Sequence, residues 1–512
     1  MANNYDFDLL CIGSGPAGQR AAVQAAKLGR RVGLIERRSG LGGCCLSTGT
    51  IPSKTFREAV LHFAALRDHP ERRRFAKFEY RPTAKQLLDR VERVVEDETT
   101  VIEDQLRRND VTILRGKASF VDPHTVAIES HEGRREVTAA HILVAVGTKP
   151  ADPPGAPADG QTVLTSDDIT GLDRLPKSIV VVGAGVIGIE YASMFAAVGV
   201  EVTVIDRRDR PLEFLDHEIV DELIHQMRRR KVTFRPREGV ERFEIQEGAR
   251  RKVSVHLESG KRIVADAVLF SVGRVGATDE LALDRAGLVA DDRGRLKVDL
   301  TFRTSVPHIY AAGDVIGYPS LAATSSEQGR LAACHALGAP AQPMAAHFPI
   351  GIYAIPEMSM VGEPEHVLTE KKVPYEVGIA RYREIARGHI LGDGDGLLKL
   401  LFGREDRRLL GVHIIGTGAT ELLHIGQTVI GLGGGLDYFL RTVFNYPTLA
   451  ECYKVAALNA SNKLAAAEEW TTHPTDAAAP LPSTHPPIRP SAPVNPPPAG
   501  APPSRTRPRV RG

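Results

Sequence analysis

Between Gly42 and Lys54 the chain reads GGCCLSTGTIPSK, which brings two thiols, a hydroxyl at Thr50 and an amine at Lys54 into one short segment. Cys44 and Cys45 are neighbours, and adjacent Cα atoms lie about 3.8 Å apart, below the ~4.4–6.8 Å span of ordinary disulfides. A bridge between them would be strained, and Thr50 cannot form a thiolate, so the thiols read as inert packed side chains rather than as a redox pair. A second constellation is more specific. Glycines stand at 13, 15 and 18, and again at 183, 185 and 188, and an acid follows 23 residues after the first glycine of each set, Glu36 and Asp206. That is close to the roughly 20 residues of a nucleotide-binding unit. Gly13 and Gly183 permit a tight turn, Gly15 and Gly185 admit a pyrophosphate against the backbone, and Gly18 and Gly188 let helix and strand pack closely. The helices that begin at Pro16–Ala17 and Val186–Ile187 turn free N–H groups and a positive dipole end toward the phosphates. Glu36 and Asp206, each followed by an arginine (Arg37 and Arg207), are placed to accept hydrogen bonds from ribose hydroxyls. Two dinucleotides on one chain imply electron transfer from one to the other; two such units without a ligand is the blander reading.

The elements that must hold these residues recur as an internal repeat. YDFDLLCIGSGPAGQRAAVQAAKLGRRVGLIER from Tyr5 and KSIVVVGAGVIGIEYASMFAAVGVEVTVIDR from Lys177 each give an apolar strand, a glycine turn, an alanine-rich helix and a second strand ending in an acid. A charged helical pattern covers roughly 83–108. Strand-like pieces follow each copy, VTILRGKASFV, HTVAI and EVTAAHILVAVG after the first, VTFRPREGVERFEI and KVSVHLESGKRIVADAVLFSVGR after the second. A small-residue helix spans about 321–337, and a proline–alanine break near 345 opens an α+β segment that runs to about 464. The fold class expected is α/β, two Rossmann-like dinucleotide-binding domains and a C-terminal α+β domain. From Ala465 the composition changes: the last 42 residues hold 13 of the 34 prolines, and arginines stand at 505, 507, 509 and 511. Such a segment buries too little apolar surface to offset its ordering entropy, and a disordered tail is expected over 465–512.

At 512 residues the chain exceeds one ordinary core, and its 42% apolar and 25% charged residues are those of a globular protein. A net charge of +2 gives no electrostatic case for nucleic acid or an anionic membrane. There is no apolar run of about 20 residues for a transmembrane helix and no signal-peptide pattern before the first strand. Five cysteines are too few for a disulfide scaffold, so a reducing, cytoplasmic setting is expected.

GSGPAG, the GG-x-C-x4-T-IPSK frame, GAGVIGIE, YAAGDV and FNYPTLAE occur in an order that resembles the pyridine nucleotide–disulfide oxidoreductase family, dimeric flavoenzymes, over about residues 5–464. The resemblance implies FAD in the first repeat and a nicotinamide nucleotide in the second. It implies domain segments 1–149 (FAD), 150–275 (NAD(P)), 276–344 (FAD again) and 345–464 (dimerisation). By the same resemblance Lys54 lies beside flavin N5 and Glu190 is its ion-pair partner, the two expected catalytic residues. Asp314 matches the acid that holds the ribityl chain, and the helix beginning near Ala322 points its positive end at the reduced flavin. Gly42, Gly43, Cys44, Cys45, Ala118, Ala145, Gly147 and Gly273 complete the implied nucleotide contacts.

Two departures matter. The family's disulfide reductases carry C-x4-C, whereas here Cys45 is followed by Thr50. They also carry a histidine before Pro-Thr, whereas here Tyr446 stands before Pro447, with Glu451 kept. Tyrosine, with a pKa near ~10, is a poor proton shuttle at neutral pH. The pattern is similar to that of a subgroup that exchanges hydride between nicotinamide nucleotides, implying NADPH + NAD+ ⇌ NADP+ + NADH through FAD by a ping-pong route. A diaphorase or quinone reductase of the same fold, or a silent flavoprotein scaffold, stays open at this point. Nucleotide choice is mixed. Asp206 and Gly188 resemble NAD-preferring members, while Arg207 and Arg208 either pair with an NADP 2′-phosphate or simply lie in a solvated turn.

Overall fold

A computed structural model describes residues 5–68, 81–248 and 250–472. Five parallel strands build the first sheet, in the order Thr112–Arg115, Val32–Glu36, Phe7–Ile12, Gly133–Val144 and Ile309–Ala311. Gly133–Val144 runs on into an antiparallel sheet with Thr125–Ser130 and Lys117–Asp122. The stretch expected as one strand, VTILRGKASFV, is therefore two strands in two sheets. Gly116 divides it with φ +144°, a conformation closed to L side chains, and a Cβ there would meet the Glu129 carbonyl oxygen at 2.6 Å.

The second sheet repeats the plan, with parallel strands ordered Thr233–Pro236, Glu201–Asp206, Ser178–Val182, Ala267–Phe270 and Val163–Leu164. An antiparallel sheet of Val240–Gln246, Lys252–Leu257 and Arg262–Ala265 lies on it and seals the core around Phe243, Val255 and Val268. Thr148–Pro150 and Arg274–Gly276 pair antiparallel, so the chain leaves and re-enters this part through one two-stranded ribbon. The third sheet is antiparallel throughout: Ile350–Ile352, Met358–Gly362, Leu409–Ile415, Leu397–Gly403 and Tyr375–Arg381. Helix Ala419–Gly431 covers it, and Leu423, Tyr453 and Ala456 join its core.

Two helices tie the sheets together. Thr50–Asp68 follows the reactive loop, and Ala84–Arg108 packs beside it, started by a capping box in which Thr83 and Gln86 satisfy each other's backbone N–H groups. Phe56 and Val60 of the first and Leu87 and Val91 of the second share one apolar cluster with Val181 of the second sheet, Phe195 of the helix Val186–Ala197 that packs on it, and Met358 and Ile415 of the third sheet. Arg57, buried, donates to the Ala354 carbonyl at 3.1 Å and pairs with buried Glu357 at 3.0 Å. The helix bearing Lys54 is thus fixed against the third sheet one turn beyond the lysine.

Residues 1–464 form one compact unit. The last helix spans Glu451–Thr472 and so takes in the first residues after Ala465. Its KLAAAEEW stretch is made of strong helix formers. The rest of the expected tail, 473–512, lies outside the described residues.

Candidate functional site

The two glycine turns have the same construction. Gly13 and Gly183 adopt φ +105° and +100°, and a Cβ on either would meet a backbone carbonyl oxygen, Ala145 at 2.4 Å or Ser271 at 2.7 Å. A Cβ on Gly18 or Gly188 would lie 1.9 Å from the carbonyl oxygen of Gly13 or Gly183, so helix and turn touch backbone to backbone. Nothing lies within 4 Å of the Cβ position at Gly15 or Gly185. Space is therefore kept in front of each helix N-terminus, where a pyrophosphate sits in a dinucleotide fold. The acids match as well. Glu36 accepts from the Ser14 N–H at 3.1 Å, from the Ser14 hydroxyl and from the Arg38 N–H at 2.8 Å. Asp206 accepts from the Ala184 and Arg208 N–H groups.

In front of the first turn opens a cavity of about 790 Å³, within the ~300–1,000 Å³ of cofactor pockets. Gly13, Gly15, Pro16, Ala17, Glu36 and Arg37 line one end; Gly43, Cys44, Cys45, Lys54, Val186, Ile187 and Glu190 line the middle. Ala118, Ala145, Gly147, Asp314 and Ala322 close around it. Gly18 and Gly42 support the walls without lining them; Gly42 adopts φ +109° against Leu46. Gly183, Gly185, Gly188, Arg207 and Gly273 line neither this cavity nor a smaller one beside Asp206. Arg207 instead pairs with Glu258.

At the centre Lys54 Nζ donates to both carboxylate oxygens of Glu190, at 2.7 and 3.0 Å, and to the Ser53 hydroxyl at 3.2 Å. Glu190 also accepts from the Tyr353 N–H at 2.8 Å, and the Tyr353 ring lies 4.9 Å from Nζ. The pair therefore joins the reactive-loop helix, the second glycine-turn helix and the entry to the third sheet. The Glu190 side chain is 4% exposed, whereas Lys54 keeps 26% open to the cavity.

All five cysteines are free. Burial pushes the Cys45 thiol up, against the effect of a Thr50 hydrogen bond, which leaves it protonated and hydrogen-bonded where a dithiol would need a second sulfur. The Cys44 sulfur lies 3.3 Å from the Thr48 hydroxyl and 3.3 Å from Arg274. Arg274 was not singled out by the sequence. Its guanidinium also donates to the Thr148 hydroxyl and carbonyl, both at 2.9 Å, to Ser166 at 3.1 Å and to Asp167 at 2.9 Å. Burial pushes the Asp314 carboxyl up, with Arg274 and Thr148 opposing it, and its Thr148 contact is long at 3.5 Å. A buried carboxylate on the cavity wall with so little donated to it suits a hydroxylated chain. Tyr446 is 68% exposed and lies outside the cavity lining.

These features, two dinucleotide turns and one large cavity crossed by a lysine–glutamate pair, belong to one class of protein. Residues 7–329 match the pyridine nucleotide-disulphide oxidoreductase family and residues 348–457 match its dimerisation domain, and the chain belongs to that family. It is 51% identical over 468 residues, 91% of this chain and 99% of the relative, to a soluble pyridine nucleotide transhydrogenase of Mycobacterium bovis (strain BCG / Pasteur 1173P2). A protein of that name from Enterobacter sp. (strain 638) is 43% identical over 91% of this chain and 100% of its own length. Among solved structures, LpdA from Mycobacterium tuberculosis superposes with a TM-score of 0.81 at 28% identity, over 88% of this chain and 99% of that one. The HOCl-induced flavoprotein disulfide reductase RclA from Escherichia coli gives 0.79 at 26% identity, over 88% and 99%.

Proposed function

We propose that this chain is an FAD-dependent pyridine nucleotide transhydrogenase that catalyses NADPH + NAD+ ⇌ NADP+ + NADH. The observation that carries the reading is the cavity's equipment. It holds the Lys54–Glu190 pair but, past Cys45, offers the hydroxyl of Thr50 where a thiol relay would need a second sulfur. Bound FAD supplies the chemistry of accepting a hydride from one nicotinamide and yielding it to another. The chain's own residues bind and orient. Glu36 and the N–H groups behind Gly15 would hold the adenosine and pyrophosphate end, and Asp314 would receive the polyol hydroxyls. Lys54, held by Glu190, would keep a fixed positive charge in the cavity, so that hydride transfer would need little reorganisation there. Gly183, Gly185, Gly188 and Asp206 hold the nicotinamide nucleotide, which enters and leaves by one route.

The assignment of segments 1–149 and 276–344 to FAD, 150–275 to NAD(P) and 345–464 to dimerisation belongs to the same reading. The dimerisation-domain match supports a homodimer or larger homo-oligomer, and exposed Leu432, Val443 and Tyr446, at 83%, 92% and 68%, supply apolar surface for it. No helix among the described residues is long and apolar enough to cross a membrane, and we place the enzyme in the cytoplasm, without nucleic-acid or membrane partners. Steady-state rates with NADPH and thionicotinamide-NAD+ varied together test the activity. Parallel reciprocal lines are expected; intersecting lines, or turnover only with a quinone or dye, would overturn it.

A further inference from the structure

One nucleotide site that serves both NADH and NADPH must accept a 2′-hydroxyl and a 2′-phosphate at the same place. Asp206 suits the first and repels the second. Its carboxylate is already engaged, because Arg208 grips it through Nε at 2.9 Å and Nη2 at 2.7 Å. Burial alone would raise the Asp206 carboxyl, but that pairing and the Ala184 N–H hold it below the usual carboxylate range.

Beside the pair opens a separate cavity of about 60 Å³, room for several waters at ~10–15 Å³ each and so for a phosphate group. Besides Arg208, Arg228 and Arg235 line it. Neither Arg228 nor Arg235 forms an ion pair among the described residues. Arg228 instead lies over the Phe234 ring at 5.9 Å. Arg235 is set by the sheet: it lies opposite Ile205 in parallel register, and beyond it Arg237 and Glu238 N–H groups bond the carbonyls of Arg208 and Asp206 at 3.1 and 3.0 Å. Arg207, by contrast, is drawn off to Glu258. One paired and two unpaired guanidinium groups thus face a recess next to the ribose-binding acid, and the other acid that lines it, Asp209, is itself paired with Arg237.

Building on the proposed activity, we infer that Arg228 and Arg235 are specificity-determining residues for the phosphorylated nucleotide, and that the Asp206–Arg208 pair is the device that admits both. With NADH, the ribose hydroxyls displace part of the Arg208 grip on Asp206, whose two oxygens otherwise take the N–H groups of Ala184 and Arg208 and both guanidinium contacts. With NADPH, Arg208 turns to the 2′-phosphate alongside Arg228 and Arg235, and three cations offset the charge of Asp206.

Calorimetric titration of the FAD-loaded enzyme with adenosine 2′,5′-bisphosphate and with adenosine 5′-monophosphate reads this directly, without turnover. Arg235→Ala and Arg228→Ala should each weaken the bisphosphate about tenfold, as loss of a charge-assisted contact would, and leave the monophosphate within about twofold. Asp206→Asn should act in the opposite sense, tightening the bisphosphate and weakening the monophosphate. In turnover the arginine variants should raise the KM for NADPH with kcat and the KM for NADH held. Equal weakening of both ligands, or a bisphosphate affinity unchanged in both arginine variants, would overturn the inference. If the wild-type protein binds the bisphosphate through these arginines yet shows no hydride exchange, the proposed activity fails while the subsite stands.

Discussion

Lys54 and Glu190 are 136 residues apart in sequence, and the amine is held by both oxygens of a carboxylate that is itself almost wholly buried. In the proposed transfer the pair would fix the field at the reacting atoms rather than grip a substrate, so removing either charge should matter more to the rate than to binding. Lys54→Met and Glu190→Gln should lower kcat at least about tenfold, by the scale of lost preorganised charge, with KM changing less; stopped-flow reduction by NADPH checks this. Cys45 leads to the opposite expectation. Its thiol is held protonated and its neighbour is Thr50, so Cys45→Ser should keep hydride exchange within about threefold, as for a packed and unreactive thiol. A collapse of activity in that variant would mean that the sulfur takes part. For the same reason the enzyme should not reduce lipoamide or glutathione disulfide.

Strands and turns carried most of what the sequence made legible. Gly13 and Gly183 can be read from the sequence because a carbonyl oxygen at 2.4 or 2.7 Å from the Cβ position excludes any other residue, a local constraint that leaves a local signature. Arg274 leaves none: its partners Cys44, Thr148 and Asp167 are more than a hundred residues away, so only the folded chain shows that this arginine closes the centre of the cavity. Arg228 and Arg235 were hidden likewise, since an arginine at a helix end or on a short strand reads as ordinary surface charge. A buried titratable group on the third sheet gives this scale its own prediction. Burial drives the pKa of His413 down to about 4, and its Nε2 is fixed on the Glu363 carbonyl at 3.0 Å. The unfolded chain takes up that proton near pH ~6.5 and the folded chain resists it, so stability is full above that pH and is lost as pH falls toward 4, by about 3 kcal/mol. Denaturant melts of His413→Gln between pH 4 and 7 should show a flatter slope than the parent; an equal slope would place the titration elsewhere.

For the molecule as a whole, the exposed apolar side chains of the third part are the part of its surface least suited to water. Val443, at 92% exposure, directly precedes the FNYPTLAE segment that contains Tyr446, and Leu432, at 83%, lies in the loop before the preceding helix. Val443→Glu should shift the sedimentation profile toward the single chain and lower activity with it; an unchanged profile would remove this face from the interface. Composition marks the change of character after Leu464 but not the helix that runs on to Thr472, because alanine and glutamate serve a helix as well as a solvated tail.

If electrons go no further than the flavin, an anaerobic spectral titration will show it. NADPH should bleach the bound FAD with no long-wavelength band from a thiolate beside it, and NAD+ added next should restore the full spectrum. A charge-transfer band after two-electron reduction, or a bleached form that NAD+ leaves unchanged, would contradict it.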